Sequence, residues 1–293
     1  MTKFEGFETR RMETTTTEIS VTIGGSGPPL LLLHGHPQTY MQWHAVAPIL
    51  AERFTVVCPD LRGCGASGKP DPSPDHMNYS KRALAADQIE TMQQLGFDRF
   101  AIAGHDRGGR VAYRLALDEP DRVSRVAILD IITTVDSFDL LSRTSVPMFQ
   151  WYFLAQPAPF PERLLGHDPD YYIDFTLQRL ARDGFQFDPE AHEAYRAAFR
   201  HPDAIHGACE DYRAAATVDY DHDAADRDAG RRIIAPLLIL WSAAYARPWD
   251  FLASWRPWAE DLHGQGLDCG HWLTEERPQE TADALTAFFS DRD

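Results

Sequence analysis

Residues 103–114 read AGHDRGGRVAYR: a carboxylate, Asp106, framed by small residues, with Arg107 and Arg110 one and four positions after it. A hydroxyl must lose a proton before it attacks, whereas an aspartate, with a reference pKa of about 3.9, is already ionised at neutral pH. A carboxylate attacks amide carbonyls poorly. It displaces a good leaving group from saturated carbon, or opens an epoxide, and either reaction leaves an ester on Asp106. Water must then attack the carboxyl carbon of that ester, and this second step requires a general base. The plain alternative is that Asp106 only caps the helix that follows it.

His271, in DCGHWL, is the best candidate for that base, because imidazole titrates near neutral pH and His271 follows the last apolar strand. Asp130, which ends AILDI, is the candidate to orient and charge-stabilise the imidazole, with Asp250 as the second choice. HGHP, residues 34–37, follows a buried strand, and its backbone N–H groups around His36 are expected to share oxyanion binding with the N–H of Arg107. Cations in the first turn of a helix oppose its dipole, at a local cost of about 0.3–1 kcal/mol each. A sequence that accepts this at both Arg107 and Arg110 points to a use for the charges. A guanidinium fork matches a carboxylate, so a substrate carboxylate next to the reacting carbon is expected; pairing with Asp130 or with other acids is the structural alternative.

These side chains need a scaffold that brings strand ends together. PPLLLLHGHP, FTVVCPDLRGCGASG, RFAIAGHD, RVAILDI and RIIAPLLILWS are apolar runs closed by turn residues, and TEISVTIGG reads as a first hairpin strand. Between them, residues 79–96 and RGGRVAYRLALDEP carry helical spacing, the second stopping near Pro120. This alternation predicts an α/β fold with a mostly parallel sheet flanked by helices. It breaks over residues 134–228, which contain no clear strand, and resumes with LLILWS, LHGQGLDCGH and a last helix in ERPQETADALTAFF. The expected organisation is a core of residues 1–133 and 229–293 with an inserted helical cap at 134–228. Ligands bind such sheets at the C-terminal strand ends, where Asp106, Asp130, His271 and the HGHP turn all fall.

The chain has 293 residues and a formal net charge of -16, which argues against nucleic acid or an anionic membrane as partner. An anionic substrate would need a local cluster of positive charge. No apolar run approaches the roughly 20 residues that span a bilayer, and the N-terminus lacks a signal-peptide core, so a cytoplasmic location is expected. Cys58, Cys64, Cys209 and Cys269 show no metal-type pairing, a thiol buried at Cys58 is expected, and neither a metal nor an organic cofactor is needed.

The stretches GPPLLLLHGHPQTYMQWHAVAPILAERF, GHDRGGRVAYRLALDEPDRV, ILDI, WYFLAQPAPFPERLLGHDPDYY, CEDYRAAA and GHWLTEERP resemble the α/β-hydrolase superfamily and, within it, the fluoroacetate (haloacetate) dehalogenases. The resemblance covers nearly the whole chain from about residue 28. HGxP and GxDxGG are shared with epoxide hydrolases; the arginine pair and the FLAQPAP stretch are more specific. The resemblance implies Asp106 as nucleophile, Asp130 and His271 as its partners, and Arg107 with Arg110 on the substrate carboxylate. It also implies halide contacts from Trp151 and Tyr212, and a homodimer. Two positions depart from it. Gln150 stands where fluoride-handling members have a histidine, and its amide donates a hydrogen bond but cannot become cationic. His36 stands where an aromatic is common. The expected reaction is hydrolysis of a short 2-haloacid to the 2-hydroxyacid. The alternatives are epoxide hydrolysis on the same Asp106, Asp130 and His271, and ligand binding without catalysis.

Overall fold

Strand residues alternate between two apolar layers, and that alternation explains why the runs are continuous rather than period-two. Leu30, Leu32, Val56, Cys58, Ala103, Leu129 and Leu240 pack into one layer, while Leu31, Leu33, Val57, Ile102, Ile128 and Ile239 pack into the other. A computed structural model of the chain describes residues 3–140, 146, 148–244 and 249–290. Its strands are β1 (Glu8–Glu13), β2 (Glu18–Gly25), β3 (Pro29–Leu33), β4 (Thr55–Pro59), β5 (Phe100–His105), β6 (Val123–Leu129), β7 (Leu237–Ser242) and β8 (Leu262–Leu267). They form one sheet in the order β1-β2-β4-β3-β5-β6-β7-β8. The pairs β1–β2 and β2–β4 are antiparallel and the rest are parallel.

The helices of the first half are α1 (Ala47–Leu50), α2 (Lys81–Gln94) and α3 (Arg107–Asp118). Between β6 and β7 lie α4 (Thr134–Asp139), α5 (Gln150–Phe153), α6 (Phe160–Leu165), α7 (Pro169–Leu180), α8 (Pro189–Phe199), α9 (Pro202–Ala214) and α10 (Tyr220–Asp228). Then come α11 (Phe251–Trp255), α12 (Leu273–Glu276) and α13 (Pro278–Ser290). Side chains of α2, α3 and α11 fill one layer; those of α1 and α13 fill the other, together with Trp151, Leu154, Tyr195 and Tyr212 from the helices between β6 and β7. Full burial of an aliphatic side chain stabilises by about 1.5–3 kcal/mol, so both layers are substantial. Among the described residues no helix is long and apolar enough to cross a membrane.

The α/β architecture agrees with the sequence pattern. The edge strand β1 is absent from that reading: ETRRME is exposed at five of its six positions, so it carries no apolar alternation. Charged edge strands of this kind resist further pairing. The helix expected over 79–96 runs from Lys81 to Gln94, because the Ser80 side chain accepts from the Ala83 N–H and so caps it. Of RIIAPLLILWS only Leu237–Ser242 is strand, Ile233 making a single bridge to Ala259. Cys58 is fully buried, as expected.

Candidate active site

Asp106 sits between β5 and α3 with φ 46° and ψ -116°, a conformation that costs a non-glycine residue about 1–3 kcal/mol. The close packing around it holds it there. A Cβ on Gly108 would lie 2.4 Å from the His34 carbonyl oxygen, so only glycine lets the start of α3 press against the end of β3. A Cβ on Gly35 would lie 2.6 Å from the Asp106 Cβ, so the 34–37 turn rests directly on this side chain. The helix-cap alternative fails, since Asp106 makes no side-chain cap hydrogen bond to α3. Its Oδ2 instead accepts from the His36 backbone N–H at 2.9 Å. Burial opposes its ionisation, but His271, His105, Arg107 and Arg110 outweigh burial and hold its pKa down to about 2.

Asp130 follows β6, also at positive φ (56°). Its N–H donates to the Leu240 carbonyl at 2.8 Å, and Oδ1 accepts from the Ser242 N–H at 2.9 Å, which pins the carboxylate to the end of β7. Oδ2 then stands 2.6 Å from His271 Nδ1. A carboxylate at Nδ1 fixes the proton there and leaves Nε2 as the basic atom. Asp250, the second choice, is elsewhere: it is exposed and caps α11, accepting from the Ala253 N–H at 3.0 Å.

The arginines are enclosed. Arg107 pairs with Asp211 of α9 through Nε and also donates from Nη2 to the Asp211 carbonyl at 2.8 Å. Its guanidinium carbon lies 4.2 Å from the Tyr212 ring centroid and 5.4 Å from that of Trp151. Arg110 lies 4.5 Å from the Trp151 centroid and donates to Ile132 O, Thr134 Oγ1 and Ser137 Oγ, and it forms no ion pair with an acid among the described residues. The structural alternative therefore holds for one side of Arg107 and fails for Arg110, and neither arginine pairs with Asp130. Each keeps a buried nitrogen with no acceptor among the described residues, Nη1 of Arg107 and Nε of Arg110. Burial opposes charge on both: it lowers the pKa of Arg110, while at Arg107 Asp211, Tyr212, Asp106 and Asp219 together outweigh it and raise the pKa.

Trp151 and Tyr212 are buried and meet edge to face at 5.8 Å. The His36 ring packs against Tyr212, Phe199 and Tyr172, with Nε2 2.9 Å from the Tyr172 hydroxyl, and burial lowers its pKa to about 4, so it is neutral at pH 7. The peptide before Pro37 is cis. Gln150 Oε1 accepts from Arg179 Nη2 at 2.7 Å. Thus Asp106, His36, Arg107, Arg110, Trp151 and Tyr212 are linked by contacts, the pair Asp130 and His271 bears on Asp106 electrostatically, and Gln150 precedes Trp151 in the chain.

A sequence model described as the alpha/beta hydrolase fold matches residues 28–278. A fluoroacetate dehalogenase from Burkholderia sp is 46% identical over 98% of this chain and 95% of its own length. The chain belongs to the α/β-hydrolase fold family, in the fluoroacetate dehalogenase family. A soluble epoxide hydrolase from Corynebacterium sp. (strain C12) is 33% identical over 91% of both chains. A crystal structure from Nostoc sp PCC 7120, described as an alpha/beta hydrolase, is 46% identical, with a TM-score of 0.96 over 99% of this chain and 100% of that one.

Four residues of this α/β hydrolase escaped the sequence reading. His105, one before Asp106, packs 4.5 Å from the His271 ring and donates toward the His271 carbonyl at 2.8 Å; burial takes its pKa to about 3. Its position inside GHDRGG was the available signal. Asp211 stands next to Tyr212 in CEDYR, and Lys81 Nζ on α2 engages the same carboxylate. Arg179 on α7 and Glu275 on α12 had no sequence signal, because only packing brings α7 to Gln150 and brings Tyr195 and Gln38 to Glu275.

Proposed function

We propose that this α/β hydrolase hydrolyses short 2-haloacids, haloacetate giving glycolate and halide, through an ester on Asp106. Residues 134–228 act in this reading as a cap that closes over the strand ends. The observation that carries it is the pair of buried, acceptor-free guanidinium nitrogens, Arg107 Nη1 and Arg110 Nε, beside the Asp106 carboxylate. A buried donor without a partner is costly, of order 1–3 kcal/mol, and a substrate carboxylate supplies the missing acceptors. Fluoroacetate dehalogenase activity of the Burkholderia relative supports the same substrate class.

In the first step the free oxygen of Asp106, Oδ1, attacks the halogen-bearing carbon. The carbon–halogen pair leaves with the halide toward Trp151, Tyr212 and Gln150, and no proton moves. In the second step water adds to the Asp106 carboxyl carbon while His271 Nε2 takes its proton. The charge develops on Oδ2, the oxygen that already accepts from the His36 N–H. Collapse breaks the bond between the Asp106 carbon and the ester oxygen, the proton of the added hydroxyl passes to the departing alkoxide to give the 2-hydroxyacid, and Asp106 returns as a carboxylate. His271 holds the proton beside Asp130 until solvent removes it.

Epoxide hydrolysis is the second reading. It is favoured by two buried tyrosines, Tyr172 and Tyr212, that pack on the His36 ring and would serve in that reading as acids for an epoxide oxygen. Halide release from chloroacetate and fluoroacetate, run beside styrene oxide hydrolysis, tests both. Chloride release without epoxide opening is the expected result. Epoxide opening without halide release replaces the first reading with the second.

A further inference from the structure

Gln150 lacks the charge that a histidine brings to a departing halide, yet its surroundings are not neutral. Its Oε1 is taken by Arg179 Nη2 at 2.7 Å. With the carbonyl oxygen engaged, the amide N–H2 is the part of the side chain that remains to donate, and no hydrogen bond to another described residue engages it. A guanidinium on the carbonyl draws electron density from the amide and makes those N–H groups stronger donors. Arg179 is built for this place. It stands in the last turn of α7, where the helix dipole favours a cation. Its guanidinium carbon lies 5.3 Å from the Phe149 ring centroid and 5.9 Å from that of Phe175, two cation–π contacts that fix its place. Tyr172, Tyr212 and His36 are among the ionisable groups that bear on it.

We propose that Arg179 is a positioning residue for the leaving halide, acting through the Gln150 amide to supply by relay the positive charge that the side chain at position 150 does not carry. This rests on the haloacid reading above. It deepens that reading by naming fluoroacetate as a substrate whose turnover depends on Arg179. Fluoride is the poorest leaving group of the halides and the strongest hydrogen-bond acceptor. Its departure draws most on donor strength, whereas chloride leaves with little help. The step is unchanged in its balance: an Asp106 oxygen bonds the carbon, and the carbon–fluorine pair leaves as fluoride into the Gln150 N–H2, Trp151 and Tyr212 donors.

The test is the ratio of fluoride to chloride release from fluoroacetate and chloroacetate for R179M, R179Q and R179K. R179Q keeps a donor for Gln150 without the charge, and it remains informative should R179M fail to fold. The ratio is expected to fall about tenfold in R179M and R179Q, in line with the loss of one charge-assisted hydrogen bond, and to stay within about threefold of wild type in R179K. Chloride release should change less than about threefold throughout. An unchanged ratio in R179Q, or an equal loss of both halides, overturns the proposal. Failure of the wild-type chain to release chloride at all overturns the haloacid reading instead.

Discussion

A pKa held down to about 2 keeps Asp106 ionised, with Oδ2 tied to the His36 N–H, and the proposed mechanism assigns attack to its other oxygen. In the two-step account Asp106→Asn abolishes halide release, with turnover down by about 10⁴-fold or more, as is usual for loss of a covalent residue. His271→Asn should behave differently. The first step survives, so about one halide per active site is released in a burst and turnover then stops, which rapid-quench halide assay reads directly. Sustained turnover by His271→Asn removes the general-base role. Asp211 sets the free edge of Arg107. Asp211→Asn is expected to raise the KM for chloroacetate about tenfold with a smaller change in kcat, since it loosens carboxylate binding in ground and transition states alike. A loss confined to kcat would contradict that assignment.

At the scale of elements, the elbow joining β5 to α3 depends on the absence of side chains at its contact with β3. Gly108→Ala places a Cβ against the His34 carbonyl, so the protein is expected to lose more than about 2 kcal/mol in denaturant unfolding and most of its activity. Retention of both would mean that the elbow has slack. The elements themselves were largely legible in the chain. LLLL, TVVC, AIAG, VAIL and LLIL are buried on both faces and read as parallel strands, and the glycines around Asp106 announced a tight turn. Asp130 was legible too, because a carboxylate ending a buried strand requires a partner, and His271 is found there. Other features were not legible. β1 has no apolar period, the contacts of Asp211 and Glu275 join helices between β6 and β7 to distant parts of the chain, and that of Arg179 joins two of those helices to each other. Such contacts depend on how those helices seat, which local pattern does not encode.

Across the whole molecule, one buried carboxyl ties three regions together. Glu275 Oε1 accepts from the Tyr195 hydroxyl of α8 at 2.5 Å and from Gln38 Nε2 beside the 34–37 turn at 2.6 Å. Burial pushes its pKa up to about 8, with Asp188 adding to the rise and Lys3 opposing it. A carboxyl with a higher pKa folded than unfolded binds protons on folding. Its contribution is therefore full below its unfolded value and is lost as pH rises through about 8. Thermal stability should accordingly decline between pH 5 and pH 8, and Glu275→Gln, which stays neutral, should flatten that decline. A slope identical in the two proteins would show that Glu275 is not the group responsible. The net charge of -16 makes the enclosed pair Arg107 and Arg110 the feature that an anionic substrate must find.

An ester on Asp106 leaves an isotopic record, which a single turnover in oxygen-18 water reads. Enzyme in excess is mixed with chloroacetate, and both the glycolate and the peptide carrying Asp106 are weighed by mass spectrometry. The account predicts unlabelled glycolate and one heavy oxygen in the Asp106 carboxyl, because water attacks the ester at the enzyme's own carbon. Heavy glycolate with an unlabelled Asp106 would mean that water displaces the halide directly, and the covalent account would fall.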